Sequence, residues 1–181
     1  RAEHFVGAGR PSSLSDYAAA REASEHACRL DPTDATYVRA AARVEAAACL
    51  SILPFEATRE RAARLYDEAL RLARNDATTP LEAAKFLLRA GDAAGARRAA
   101  RQALEIEPRA AAPRLWLARA ILQDEGPGGA AKAQGLLDEA LELAPRAGEV
   151  PSSSYDAALR GVDPQLVDGL RRDLARQGAP R

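Results

Sequence analysis

The sequence predicts an all-α fold, an α-solenoid of antiparallel helix pairs, on three observations. First, small residues recur at a fixed period. Ala62, Ala69 and Leu70 reappear 34 residues on as Ala96, Ala103 and Leu104, then as Ala133, Ala140 and Leu141, and upstream as Ala20, Ala27 and Cys28. Self-similarity at about 20–50 residues marks stacked supersecondary units. Second, the chain is rich in Ala, Leu and Arg, the strongest helix formers, and only 4% aromatic. Third, Pro, Gly and Asp punctuate it into segments of helical length, with no convincing strand between them.

The elements follow in order. Ser15 or Asp16 caps a first helix that ends before Asp31-Pro32. Asp34 opens a second, Ala35–Leu50, with almost no polar interruption, and Ile52-Leu53-Pro54-Phe55 breaks it. A third runs from Thr58 to about Arg74-Asn75. Thr79-Pro80-Leu81-Glu82 then places a Thr at the N-cap, Pro at the first helical position and Glu where it reaches back to a free N–H. Gly91 ends that helix as a left-handed C-cap, and Asp92 restarts the chain toward Ile106. Arg109–Gln123 and Ala130–Leu143 form another pair around Gly126-Pro127-Gly128-Gly129. Ser153 caps a short helix through Leu159, and Asp163-Pro164 starts a last one with Leu166, Val167, Leu170 and Leu174 on one face. That helix is suited to cap the exposed end of an array. The expected organisation is an extended or disordered segment over 1–15, helical repeats over 16–145, and a loop with capping helices over 146–181.

Composition narrows the function. With 181 residues, 47% of them hydrophobic, the chain can bury a substantial core. The 26 Lys and Arg balance 26 Asp and Glu, so no global field favours nucleic acid or an anionic membrane, and charge selectivity must come from local arrangement. No apolar run approaches the ~18 residues of a membrane span. The chain has no Met and begins with Arg, which suggests a piece of a longer protein. Cys28 and Cys49 sit among alanines and read as small buried thiols, a disulfide being the alternative.

The alanine register, Gly91-Asp92 between paired helices and the helix-ending Pro32, Pro108 and Pro145 resemble the tetratricopeptide repeat family, whose unit is about 34 residues. Ala62, Tyr66 and Ala69 match one unit, Ala96 and Ala103 the next, and Leu117, Ala118, Ile121, Ala133, Leu137 and Ala140 a third. Ala103 and Ala140 are 37 apart, so the Gly126–Gly129 connection is longer than the family norm, and the family's helix-A Trp is missing from its usual place. The resemblance implies a right-handed TPR-like solenoid with a C-terminal capping helix and a concave groove for a partner. Carried onto this chain, the groove residues are Arg39 and Arg43, then Leu81, Lys85, Leu88 and Arg89, then Leu115, Trp116 and Arg119. Cationic teeth around an aromatic anchor suit an acidic or carboxylate-ended peptide. The bland alternative is a solvated helix face, with Trp116 packed under the terminal helices near Tyr155. No Asn occupies this face, which argues against the carboxylate-clamp variant of these repeats.

The expected function is therefore a non-enzymatic protein-interaction or scaffold module, with no cofactor, no metal and no nucleic acid. A second reading rests on Asp31-Pro32-Thr33-Asp34, Glu107-Pro108 and Leu87-Leu88-Arg89-Ala90-Gly91-Asp92. These are similar to the repeat tails of bacterial O-antigen ligase or polymerase-like proteins. That resemblance implies a soluble, periplasmic tail of a membrane enzyme whose chemistry lies outside this chain. His4 and His26 have no metal-ligand spacing. Gly126–Gly129 lacks the preceding strand and following Lys-Ser/Thr of a phosphate loop. Ser152–Ser154 have no neighbouring base, and Glu105 and Glu107 lie at a helix end. Ile52–Phe55 is expected to fold over neighbouring helices, with a docking knob as the alternative.

Overall fold

The computed structural model describes residues 13–145, 149 and 151–178. They form nine α-helices and one 3-10 turn, without strands, and successive helices pack as antiparallel pairs. By internal contacts the chain divides into two compact units, one ending at Thr79 and one starting at Pro80. Among the described residues, no helix is long and apolar enough to cross a membrane. The extended segment expected at the N-terminus lies, over residues 1–12, outside the described residues.

The first unit holds α1 (Leu14–Leu30), α2 (Ala35–Ser51) and α3 (Glu56–Leu72). Ser13 caps α1, its hydroxyl accepting from the Asp16 N–H, so the helix starts earlier than Ser15 or Asp16 suggested. Asp34 caps α2 as expected. The middle helix is buried nearly all round, through Val38, Ala41, Ala42, Val44, Glu45, Ala46, Ala48 and Cys49, because α1 and α3 both pack on it. The chain enters α3 through Phe55 without a side-chain cap, so the helix begins ahead of Thr58. Ile52 and Leu53 do fold back onto Tyr17, Val44 and Ala48, while Pro54 and Phe55 stay exposed. Cys28 and Cys49 are free thiols, both pushed up in pKa by burial.

The second unit takes in α4 (Thr78–Arg89) from Pro80 on, α5 (Ala93–Ile106), α6 (Ala111–Glu125), the 3-10 turn Gly126–Gly129, α7 (Ala130–Leu143), α8 (Ser154–Arg160) and α9 (Pro164–Gly178). Gly91 sits at φ 86°, the left-handed geometry expected of it, and the Asp92 carboxylate caps the Gly95 N–H at 2.7 Å. The α6 helix starts at Ala111, not Arg109, because Arg109 lies in a turn closed by the Ala110 N–H on the Glu107 carbonyl at 3.1 Å and Ala110 itself is extended. The glycine run is a tight connector. A Cβ on Gly129 would lie 2.6 Å from Ile121 Cγ2, so the chain passes too close to α6 for any side chain there. Ser153 caps α8. The terminal helix α9 packs on α6, α7 and the 3-10 turn, with Val167 and Leu170 buried.

The alanine register is the core of both units. Ala62 and Ala69 in the first, and Ala96, Ala103, Ala133 and Ala140 in the second, are all 1% exposed or less. A methyl side chain lets helix backbones approach closely and leaves no room for a longer one. Ala69→Arg and Ala103→Arg should each therefore lower the unfolding free energy by about 3 kcal/mol or more, through overpacking and burial of an unpaired charge. Urea denaturation with midpoints unchanged from wild type in both variants would contradict the register.

Candidate functional site

A cation–aromatic cluster forms in the second unit from α4 and α6. Lys85 and Arg89 are one helical turn apart, so they project from the same face of α4. Both reach the ring of Trp116 on α6, Lys85 Nζ at 5.9 Å and the Arg89 guanidinium carbon at 5.7 Å from its centroid. Such contacts are worth about 0.5–1 kcal/mol at exposed sites and more when desolvated. The half-buried indole is seated on Leu88, Ala93, Ala96 and Ala120, where α4, α5 and α6 meet. Burial pushes the Lys85 ammonium below its usual 10.5; Glu82 and Asp163 draw it back up, and Arg89 adds to the depression.

One turn beyond Trp116, the Arg119 guanidinium donates to the Asp173 carboxylate of α9. That contact, helped by Arg176 and Arg172, holds the Asp173 carboxyl below its usual range. Asp163, in the loop that feeds α9, is near enough to Lys85 to act on its charge. Sequence reasoning did not single out Asp163 or Asp173 as partners of this face. The contact bridges 54 residues, a separation no local pattern records.

The other groove residues read from sequence have different surroundings. Leu81 and Leu115 are each 1% exposed and Leu88 is buried, so they supply core packing and present no surface. They sit on the inward side of helices buried against neighbours, a side that a spacing rule alone does not separate from an open one. Arg39, in the first unit, donates to Asp76 Oδ2 and Thr78 Oγ1, both at 2.6 Å. Asp76 in turn accepts from the Thr78 N–H at 3.0 Å and the Thr79 hydroxyl at 2.7 Å. This corrects the start of α4. Asp76 anchors it, and Thr79, expected as N-cap, lies inside the helix. Burial raises the Asp76 carboxyl, and donation from Thr78, Thr79 and Arg39 outweighs it, leaving a lowered pKa. Arg43 is exposed on α2.

The first unit also contains a buried polar network that the sequence reading passed over. Glu45 is 2% exposed. It accepts from the Tyr17 hydroxyl at 3.0 Å and pairs with Arg61 Nε at 2.9 Å and Arg21 Nε at 3.7 Å. Glu25 bridges the same two arginines, at 2.9 Å from Arg21 and 2.5 Å from Arg61. Two cations and two anions thus tie α1, α2 and α3 with no net charge. The available signal was Glu45 itself, the one acid in an otherwise apolar stretch of α2.

A cleft of about 270 Å³ opens among Glu107, Arg109, Leu143, Tyr155, Asp156 and Arg160. Arg160 is engaged there by Glu149 at 3.0 Å and Asp156 at 3.6 Å. Among the described residues, no three His, Cys, Asp or Glu side chains gather as a metal-ligand set. His26 is exposed on α1, and His4 falls outside the described residues. No protein-family model matches this sequence, and no curated protein matches it.

The lowered carboxyls set an acid limit on stability. Glu25, Asp76 and Asp173 have folded pKa values below the ordinary 4.5 and 3.8. Their stabilisation is complete above the ordinary values and is lost as pH falls through the lowered ones. The thermal midpoint should thus hold steady above about pH 5 and decline toward pH 3, with a smaller decline in Asp173→Asn. A midpoint flat from pH 5 to 3 would refute this assignment.

Proposed function

We propose that this chain is a non-enzymatic binding module, that its helix pairs are tetratricopeptide-type repeats of the solenoid class, and that the Lys85–Arg89–Trp116–Arg119 face takes an acidic segment of a partner protein. The observation that carries the reading is that two cations of one helix face, Lys85 and Arg89, both lie over the ring of Trp116. An indole already fixed by packing offers contact area at low entropic cost. Guanidinium groups beside it pair with carboxylates through two parallel hydrogen bonds. The zero formal net charge of the chain disfavours nucleic acid as the partner, since phosphate binding draws on an excess of cations.

The same chemistry favours a partner of one character. The half-buried Trp116 ring, with Leu87 beside it, favours a segment with leucine-like residues, and the cations favour carboxylates near them. An amphipathic Leu/Glu peptide is the matching probe, with a Leu/Lys peptide of the same pattern as control. Trp116 is the only tryptophan, so its fluorescence reports on this face alone. The Leu/Glu peptide should bind and the Leu/Lys peptide should not. Trp116→Ala and the double variant Lys85→Glu/Arg89→Glu should each weaken binding about tenfold or more, as expected when an interface anchor is lost; anisotropy of a labelled peptide reads both. Equal affinity in all three proteins, with helical content intact, would remove the face from the function.

A further inference from the structure

Resting on that reading of the face, we infer that α9 is its resident ligand: the C-terminal helix of this chain holds the acid-binding surface, and an acidic partner gains it by displacing α9. The contact that holds α9 there is a single carboxylate on the face, presented by a helix that otherwise carries Arg171, Arg172 and Arg176. The Asp173 carboxylate is already on Arg119, the residue one turn from Trp116. Asp163, at the start of the same helix, acts on the charge of Lys85. One carboxylate of the α9 region thus contacts the face and a second acts on its charge, the chemistry an external partner would bring, while Val167 and Leu170 are buried where α9 packs on α6, α7 and the 3-10 turn.

The grip of α9 is incomplete in ways that suit displacement. Its buried apolar anchors are Val167 and Leu170, with Leu166 and Leu174 half-buried. Gly169 sits in the middle of the helix, where a Cβ would meet nothing within 4 Å. Packing therefore does not demand glycine there, and its presence weakens the helix relative to alanine. Gln177 Oε1 is buried without a hydrogen-bond partner among the described residues, a polar group released from that penalty when the helix leaves. Asp173 also faces a cation of its own helix, Arg176, 3.7 Å from its other oxygen, so its charge is not answered by Arg119 alone.

The test uses the full chain and the Leu/Glu peptide. Asp163→Asn/Asp173→Asn removes both carboxylates, while the side-chain amide placed at position 163 keeps an oxygen for the Gln165 N–H, which Asp163 accepts at 2.9 Å. The control Glu142→Gln/Asp168→Asn makes the same charge change at exposed positions. The Asp163/Asp173 variant should bind the peptide about fivefold tighter or more, the lower end of coupling between linked sites, and the control should match wild type. Amide hydrogen exchange over 164–178 should accelerate when wild type is saturated with peptide. Peptide binding of equal strength in all three proteins, with α9 protection unchanged, would overturn the inference and leave the acid-binding reading standing. Binding to none of them would remove both.

Discussion

Close approach of helix backbones at alanine seams is the constraint on which everything else in this chain depends. Ala62 and Ala69 in one unit, and Ala96, Ala103, Ala133 and Ala140 in the other, contribute one methyl each to helix contacts and are shielded from water. A seam of methyl groups buries less apolar area per residue than a leucine core. The fold compensates by placing larger side chains where three helices meet. Leu81, Leu115, Leu137, Leu159 and Leu170 are the leucines that are almost fully buried. The long cationic side chains are then left on the helix faces that the seams do not use, and this is how Lys85, Arg89 and Arg119 come to surround Trp116.

Charge is balanced within the structure as well as in the composition. Arg21 and Arg61 share Glu25 and Glu45; Arg39 has Asp76; Arg97 has Asp124 and Glu125; Arg114 has Glu139; Arg119 has Asp173. Pairs at the surface contribute little each, since solvent screens them and ordering two side chains costs entropy. Glu45 differs, because removing a partner would strand a charge in the core. Arginine suits this use better than lysine, since a planar guanidinium serves two acceptors at once. Arg61 does so with Glu25 and Glu45, and Arg39 with Asp76 and Thr78.

The fold was legible where one residue type does one local job. Asp34, Asp92 and Ser153 cap as their positions imply, and Gly91 takes the left-handed conformation. Boundaries slipped where no such residue acts: Phe55 and Ala110 precede α3 and α6 without a side-chain cap, so nothing in their chemistry marks the start. The start of α4 slipped for another reason, since Asp76 is fixed by Arg39 from a different helix. The candidate site divides in the same way. The four-residue spacing of Lys85 and Arg89 is a local fact and was readable. The carboxylates that meet this face, and the burial of Leu81 and Leu115, are products of packing between distant segments. Glu45 lies between these cases, visible as an isolated acid in an apolar helix but silent about which arginines would answer it.

Under the proposal above, capping and competition are compatible roles for α9. The end of a stacked helical array exposes apolar surface unless something polar on its outer side covers it. Val167 and Leu170 are buried where α9 packs on α6, α7 and the 3-10 turn, and Arg171 and Arg172 are exposed on its outer side. A partner that removed α9 with acidic groups alone would leave that apolar surface open, at a cost proportional to its area. The partner must replace the leucine contact and the carboxylate contact together. Selectivity under that proposal follows from two weak requirements met at once: a purely acidic chain lacks the apolar stripe, and a purely apolar helix leaves Arg119 without the carboxylate that Asp173 supplies and Lys85 with Glu82 alone. As the proposed resident, α9 would raise the threshold for both kinds of wrong partner, because each would have to surrender one half of what α9 already supplies.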